Sequence, residues 1–156
     1  MKVLLAIDGS DCSLAAVKEV AVRHWPEGTV IKVLAAVTTW FPSTPDPLLI
    51  GAAMYQDLIN TERKRLQGLV ESTVAELRNS ISSGDVKIET AVVDGSPKEV
   101  IVEEAERWGA DLILIGSHGY GAVKRFMLGS VSQAVATHAP CSVEIVRSRR
   151  PTETVP

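Results

Sequence analysis

The segment Gly116-Ser-His-Gly119, followed by nine residues and then Gly129-Ser130, sets three glycines and several hydroxyls where backbone rather than side chain would face a ligand. The apolar run Asp111-Leu-Ile-Leu-Ile115 before it reads as a buried strand, and Ser130 onward reads as a helix. A glycine-rich passage from strand through loop to helix start suits an anion. Free N–H groups point outward there, and the helix dipole adds roughly half a positive charge. On this reading Gly116 and Gly119 admit a phosphate without a Cβ in the way, with positive φ open to them. Gly129, Ser130 and Ser132 would hold a second part of a polyphosphate. Substituting Val at Gly116 or Asp at Gly129 is then expected to remove binding and spare the fold. The insert Tyr120–Leu128 is too long for a tight turn and could fold over phosphates. Lys124 and Arg125 within it are candidate contacts, and a solvated pair is the equal alternative.

A second group of candidates lies at the exits of earlier strands. Asp8 ends the first apolar run and could accept hydrogen bonds from ribose hydroxyls or help to hold Mg2+ near phosphates. Its plain alternative is a turn-forming Asp before Gly9. Val37, closing the second strand, and Ile115 are placed to flank a planar base, although each is also natural core. Reactive combinations are thin. The chain has no Gly-x-x-x-x-Gly-Lys-Ser/Thr, so the lysine that supports efficient phosphoryl transfer is missing, and no Gly-x-Gly-x-x-Gly follows the first strand. His24 and His138 read as surface or capping residues. His118 sits inside the glycine segment and either meets a phosphate or faces solvent. Neither Ser10 nor Cys12 has an evident base partner, and no metal-ligand spacing occurs.

The elements that would position these residues follow from periodicity. Lys2–Asp8 is a short apolar strand. A helix over 11–24 carries Leu14, Val17, Val20 and Ala21 at helical spacing with Ser10 as N-cap, and Pro26-Glu-Gly28 ends it. Thr29–Val37 is β-branched and apolar, hence a second strand. Residues 38–53, with Pro42, Pro45 and Pro47, form a loop, and an amphipathic helix spans about 54–81. Val86–Val93 alternates as a third strand. Gly95-Ser96-Pro97-Lys98-Glu99 opens the next helix, with Ser96 as cap, Pro97 at the first helical position and Glu99 closing a capping box. That helix runs to about Trp108, and strand 111–116 follows. The last helix begins at a Ser130–Gln133 capping box and stops at Ala139-Pro140. Cys141–Arg147 is the fifth strand, and 148–156 is a polar tail expected to be disordered. Five strands alternating with four helices predict an α/β fold with one doubly wound parallel sheet. Ligands of such sheets lie outside the C-terminal strand ends where strand order reverses, which brings Asp8 and Gly116 to one cleft.

Composition narrows the function classes. The 156 residues predict one domain over 1–147. A net charge of −3 with interspersed signs argues against a nucleic-acid polymer as partner. Apolar runs of about five residues are far too short for a membrane span. Met1–Ile7 mimics a signal peptide but stops at Asp8-Gly9-Ser10 with no cleavage site. Cys12 and Cys141 are far apart and read as reduced, mostly buried thiols of a cytoplasmic protein.

Over about residues 1–147 the chain resembles the universal stress protein family. The likeness is carried by Val3-Leu-Leu-Ala-Ile-Asp8-Gly9-Ser10, Gly95-Ser-Pro97, Ala110–Gly119, Gly129-Ser130-Val131-Ser132 and His138-Ala-Pro140-Cys-Ser-Val143. Its Gly-x-x-Gly-x9-Gly-Ser pattern is similar to that of the family's ATP-binding branch. The resemblance implies strand order 3-2-1-4-5 and ATP, with Mg2+ a candidate companion, between the first and fourth strands. Ala6, Ile7 and Asp8 would meet the nucleoside and Val37 the adenine. Ile115, Gly116, Gly119, Gly129, Ser130, Val131 and Ser132 would hold ribose and phosphates. It also implies a homodimer through strand 141–147, with which an unpaired sheet edge is compatible. Trp40 and Phe41 in the Pro-rich loop suit either a protein partner or a local plug. Three functions follow: an ATP-dependent sensor or regulator of stress adaptation, a slow ATPase or autophosphorylating enzyme, and a dimeric scaffold with purely structural glycines.

Overall fold

The computed structural model describes residues 1–38, 52–81, 85–119 and 128–148. Nine elements alternate along it: β1 (Lys2–Ala6), α1 (Asp11–Val22), β2 (Val30–Val37), α2 (Ala52–Ser80), β3 (Lys87–Asp94), α3 (Pro97–Trp108), β4 (Leu112–Gly116), α4 (Ser130–His138) and β5 (Ser142–Val146). The strands form one all-parallel sheet in the order β3-β2-β1-β4-β5. The fold class and strand order are those expected. Residues 39–51, with Trp40 and Phe41, lie outside the described residues, as do 120–127 with Lys124 and Arg125 and the tail 149–156.

Period two along each central strand divides the core into two layers. Val3 and Leu5 of β1, Ile7 just after it, and Ile31, Val33, Ala35 and Val37 of β2 face α1 and α2. Leu4, Ala6 and Leu34 face α3 and α4, with Ile113 and Ile115 of β4. Both faces of the central strands are covered, which is why they read as continuous apolar runs. On α2 the buried stripe is Leu66, Val70, Val74 and Leu77 at helical spacing.

Helix starts depart from the expected caps. Ser10 does cap α1, its hydroxyl accepting the Ser13 N–H. Ser96 has N-cap dihedrals but makes no side-chain cap bond; its carbonyl takes the Glu99 and Val100 N–H groups instead, at 3.0 and 2.9 Å. At α4 the cap is Gly129, extended at φ −64° and ψ 156°, so Ser130 is the first residue inside the helix. The Gln133 N–H bonds the Gly129 carbonyl at 2.9 Å, and no capping box forms around Ser130.

One strand carries a charge that the apolar reading of 29–37 passed over. Lys32 of β2 is 7% exposed and faces α3. Its Nζ lies 3.0 Å from Glu104, 3.6 Å from Glu89 and 4.4 Å from the Trp108 ring centre. Arg107 holds the other Glu104 oxygen. Burial raises the Glu104 carboxyl, but the bonds from Arg107 and Lys32 outweigh it and hold the group below its ordinary range.

Candidate functional site

A cavity of about 540 Å³ opens at the C-terminal ends of β1, β2 and β4, on the face covered by α3 and α4. Its apolar end is made by Leu34 and Ala36 of β2 with Pro97 and Ile101 of α3, and its polar end by Asp8, Gly119 and the start of α4. Of the residues singled out from sequence, Ala6, Ile7, Asp8, Ile115, Gly116, Gly119, Gly129, Ser130, Val131 and Ser132 all line it. Val37 does not. Its side chain is fully buried in the α1/α2 layer, and its carbonyl accepts the Gly95 N–H at 2.9 Å. Alternation along β2 turns Leu34 and Ala36 toward the cavity instead, three and one residues back from Val37, and the period of two would have found them. His118 also lines the cavity, while His24 and His138 are exposed elsewhere.

The first wall is the turn after β1. The Ile7 N–H makes the last sheet bond, to the Leu34 carbonyl at 2.9 Å. Gly9 then takes φ +92°, a conformation that favours glycine. Asp8 Oδ1 accepts the Ser10 N–H at 2.8 Å and the Ser10 hydroxyl at 2.6 Å, an Asx turn. The turn-forming role of Asp8 is therefore real, and it engages one carboxylate oxygen only. Oδ2 faces Gly119, where an added Cβ would stand 2.9 Å from it.

The second wall is stitched at both ends of the glycine segment. The Ser117 carbonyl accepts the Gly129 N–H at 2.8 Å and the buried Ser132 hydroxyl, also at 2.8 Å. The Ser10 hydroxyl reaches the His118 carbonyl at 3.1 Å, tying the two walls together. Gly129 and Gln133 have backbone partners, so Ser130, Val131 and Ser132 keep the orphan N–H groups of the first turn of α4. None of the three has a backbone acceptor among the described residues outside the helix.

The glycines act differently from the sequence reading. None of Gly116, Gly119 and Gly129 has positive φ. A Cβ on Gly116 would stand 2.7 Å from the Cys12 carbonyl carbon and the Ser13 nitrogen, so this glycine lets α1 pack on β4. At Gly129 a Cβ would meet the Ser117 oxygen at 3.2 Å and His118 Cα at 3.3 Å. The expectation that Gly116→Val spares the fold is thereby overturned, and Gly129→Asp strains the Ser117 staple as well. All three line the cavity, but only at Gly119 would a Cβ first meet a side-chain oxygen rather than backbone among the described residues.

Electrostatically the cavity is spare. Among the described residues lining it, Asp8 is the one carboxylate, His118 the one imidazole, and no lysine or arginine appears. His118 Nδ1 lies 3.0 Å from the Ser117 hydroxyl. That hydroxyl is also 3.5 Å from Cys12 Sγ, which in turn lies 3.9 Å from Ser148 Oγ. Burial pushes the Cys12 thiol up, but hydrogen bonds from Ser117 and Ser148 outweigh it and set the thiol below its ordinary value. Burial pushes the Cys141 thiol up, and the nearby Asp111 adds to it. Both cysteines are free and half-buried rather than mostly buried. No group of three or more His, Cys, Asp or Glu side chains positioned for a metal occurs among the described residues.

A parallel 3-2-1-4-5 sheet with a cavity at its switch point, walled by an Asx turn and a helix start, defines a doubly wound α/β domain. The chain belongs to the universal stress protein family, matching it over residues 1–147. It is 46% identical over 67 residues to a universal stress protein of Staphylococcus haemolyticus, a match spanning 42% of this chain and 41% of the relative. The chain thus covers well under half the length of that curated relative. The solved universal stress protein UspA of Lactobacillus plantarum is similar over 94% of this chain and 97% of its own, at 25% identity and a TM-score of 0.78. A family protein of Arabidopsis thaliana, solved with AMP bound, shares the fold at 21% identity and a TM-score of 0.69, over 98% of this chain and 97% of its own.

Proposed function

We propose that this chain binds ATP, with Mg2+, in the cavity between β1 and β4 and acts as a nucleotide-dependent regulator in a cytoplasmic stress response. The observation that carries the reading is the convergence on one cavity of three orphan N–H groups of α4, Asp8 and an apolar slot. An anionic group fits the first, ribose hydroxyls fit the second and a flat base fits the third. The Arabidopsis family protein with AMP bound supports a nucleotide as the ligand class. With one carboxylate at hand, Mg2+ would be held by Asp8, nucleotide oxygens and water. By analogy with the family, two chains pair through the β5 edge.

Ser130→Asp gives the cleanest test, because Ser130 is exposed and its change leaves the Ser117 staple alone. Calorimetry with Mg-ATP should show binding to the wild type, weakened by at least about tenfold in the variant through charge repulsion at the orphan N–H groups. No heat with wild type sinks the reading. One observation favours a second reading, slow hydrolysis: His118 lines the cavity with Nδ1 held near the Ser117 hydroxyl, so Nε2 is the ring nitrogen left to take a proton from water. Steady ADP release lost in His118→Ala, with binding retained, would favour it.

A further inference from the structure

The Asp8-Gly9-Ser10 turn hangs beyond the last sheet bond of β1, so something other than the sheet must fix it. The Asp8 N–H donates to the Ser13 hydroxyl at 3.2 Å, and Oδ1 is engaged by Ser10. Both partners belong to the start of α1, the segment that the turn itself leads into. The Asp8 carbonyl is served from a different element. Arg65 of α2 donates to it from both terminal nitrogens, at 3.3 Å each, while Glu62 one turn earlier grips the guanidinium at 2.7 and 2.8 Å. With its N–H, its carbonyl and Oδ1 all held, the backbone and rotamer of Asp8 are set, and Oδ2 is the oxygen left toward Gly119 and the cavity.

We infer that Arg65 is a positioning residue for ribose selectivity, aiming the Asp8 carboxylate by holding its carbonyl from α2. The inference rests on the nucleotide reading above and adds to it a residue outside the cavity wall. A planar guanidinium suits the task because its fork meets a single oxygen with two donors while Glu62 fixes its plane. Freed from Arg65, the Asp8–Gly9 peptide can rotate, and Gly9 offers little resistance to that rotation. The carboxylate then loses its fixed direction, while the donors at α4 keep theirs. The loss should fall on ribose hydroxyls and spare the phosphates.

The test is calorimetry of the full chain with Mg-ATP and with Mg-2′,3′-dideoxy-ATP, on wild type, Arg65→Ala and Arg65→Lys. Wild type should prefer ATP. Arg65→Ala should cut that preference by about tenfold or more, the scale of a lost charged hydrogen bond, with the dideoxy affinity within about twofold of wild type. Arg65→Lys, which keeps the charge but has one head instead of a fork, should restore part of it. Equal weakening toward both nucleotides, or an unchanged preference in Arg65→Ala, overturns the inference. Wild type binding both nucleotides equally overturns it too while leaving nucleotide binding in place. Wild type binding neither overturns the nucleotide reading itself, and this inference with it.

Discussion

The interface between β2 and α3 ends in two opposite ways. Toward the N-terminal end of β2, Lys32 meets Glu104, Glu89 and Trp108, and Arg107 completes Glu104. Toward the other end, Leu34 and Ala36 of the same strand and Ile101 and Pro97 of the same helix part around the cavity. The first end buries charge and gives each group a partner inside the chain. The second buries almost no charge and leaves N–H groups of α4 without acceptors from the described backbone outside the helix. The contrast separates structure from site. A polar group answered from within the fold has its work done, whereas a donor at a helix start without an acceptor in the fold is open to water or, on the nucleotide reading, to a ligand.

The largest expected effect lies at the closed end. Lys32→Met leaves Glu104 buried with Arg107 alone, and the loss should approach the lower end of what breaking a buried pair costs, about 3 kcal/mol. Thermal unfolding should fall by roughly 6–12 °C for a chain of this size. Lys32→Met combined with Glu104→Leu should recover most of that fall, since replacing both charges removes the stranded one. Mg-ATP affinity should be unchanged in either variant; a loss of binding would show that the two ends are coupled. The same cluster sets an acid limit. The Glu104 carboxyl is depressed in the folded state, so its stabilisation is complete above the unfolded value of about 4.3 and is lost as pH falls through the folded one. Stability should be flat in this respect near neutrality and fall below about pH 4, and Glu104→Gln should flatten the acid limb of a pH series of denaturant titrations.

Next in size is Gly116→Ala, which sharpens the comparison by moving a supposed site residue to the structural side. Its Cβ would meet two backbone atoms of α1 at 2.7 Å, and backbone cannot swing away as a side-chain tip can. A cost of about 1–3 kcal/mol is expected, read as a lowered denaturation midpoint. If Gly116→Ala unfolds like wild type and only ligand binding falls, the glycine belongs to the open end after all.

These cases show which features the sequence expressed. Strand and helix order was readable because doubly covered strands must be apolar throughout and helices must carry a stripe, and both signals are local. Seven cavity residues, Asp8, Ile115, Gly116, Gly119, Gly129, Ser130 and Ser132, were readable from strand exits and a glycine-marked helix start, while Ala6, Ile7 and Val131 came only through the family resemblance. What escaped depends on pairing across distance. Lys32 looks like a lone charge in an apolar run until Glu104, 72 residues later, comes beside it. Val37 was assigned by its place at a strand end, although alternation turns it to the far layer. The three glycines looked alike in the motif, yet their neighbours make Gly116 a packing residue and Gly119 a border of the cavity. Arg65 gave no signal at all, since nothing local says that a helix charge will reach the carbonyl of Asp8.

The smallest effect is also the one that divides the two kinds of region most sharply, because its sign differs between stability and binding. Ser130 is the first residue of α4 and is exposed, so Asp there meets the positive end of the helix without crowding. The ligand-free protein should gain about 0.3–1 kcal/mol, seen as a melting temperature raised by roughly 1–3 °C. The same carboxylate would sit where an anionic ligand is expected, so binding should weaken as stability rises. A residue that only caps the helix would give the first effect without the second. A residue whose surroundings are already satisfied, as Lys32's are, would give neither. Asp at 130 that stabilises α4 and leaves Mg-ATP affinity untouched would place the start of α4 with the closed end of the molecule, and the anion would have to be held elsewhere.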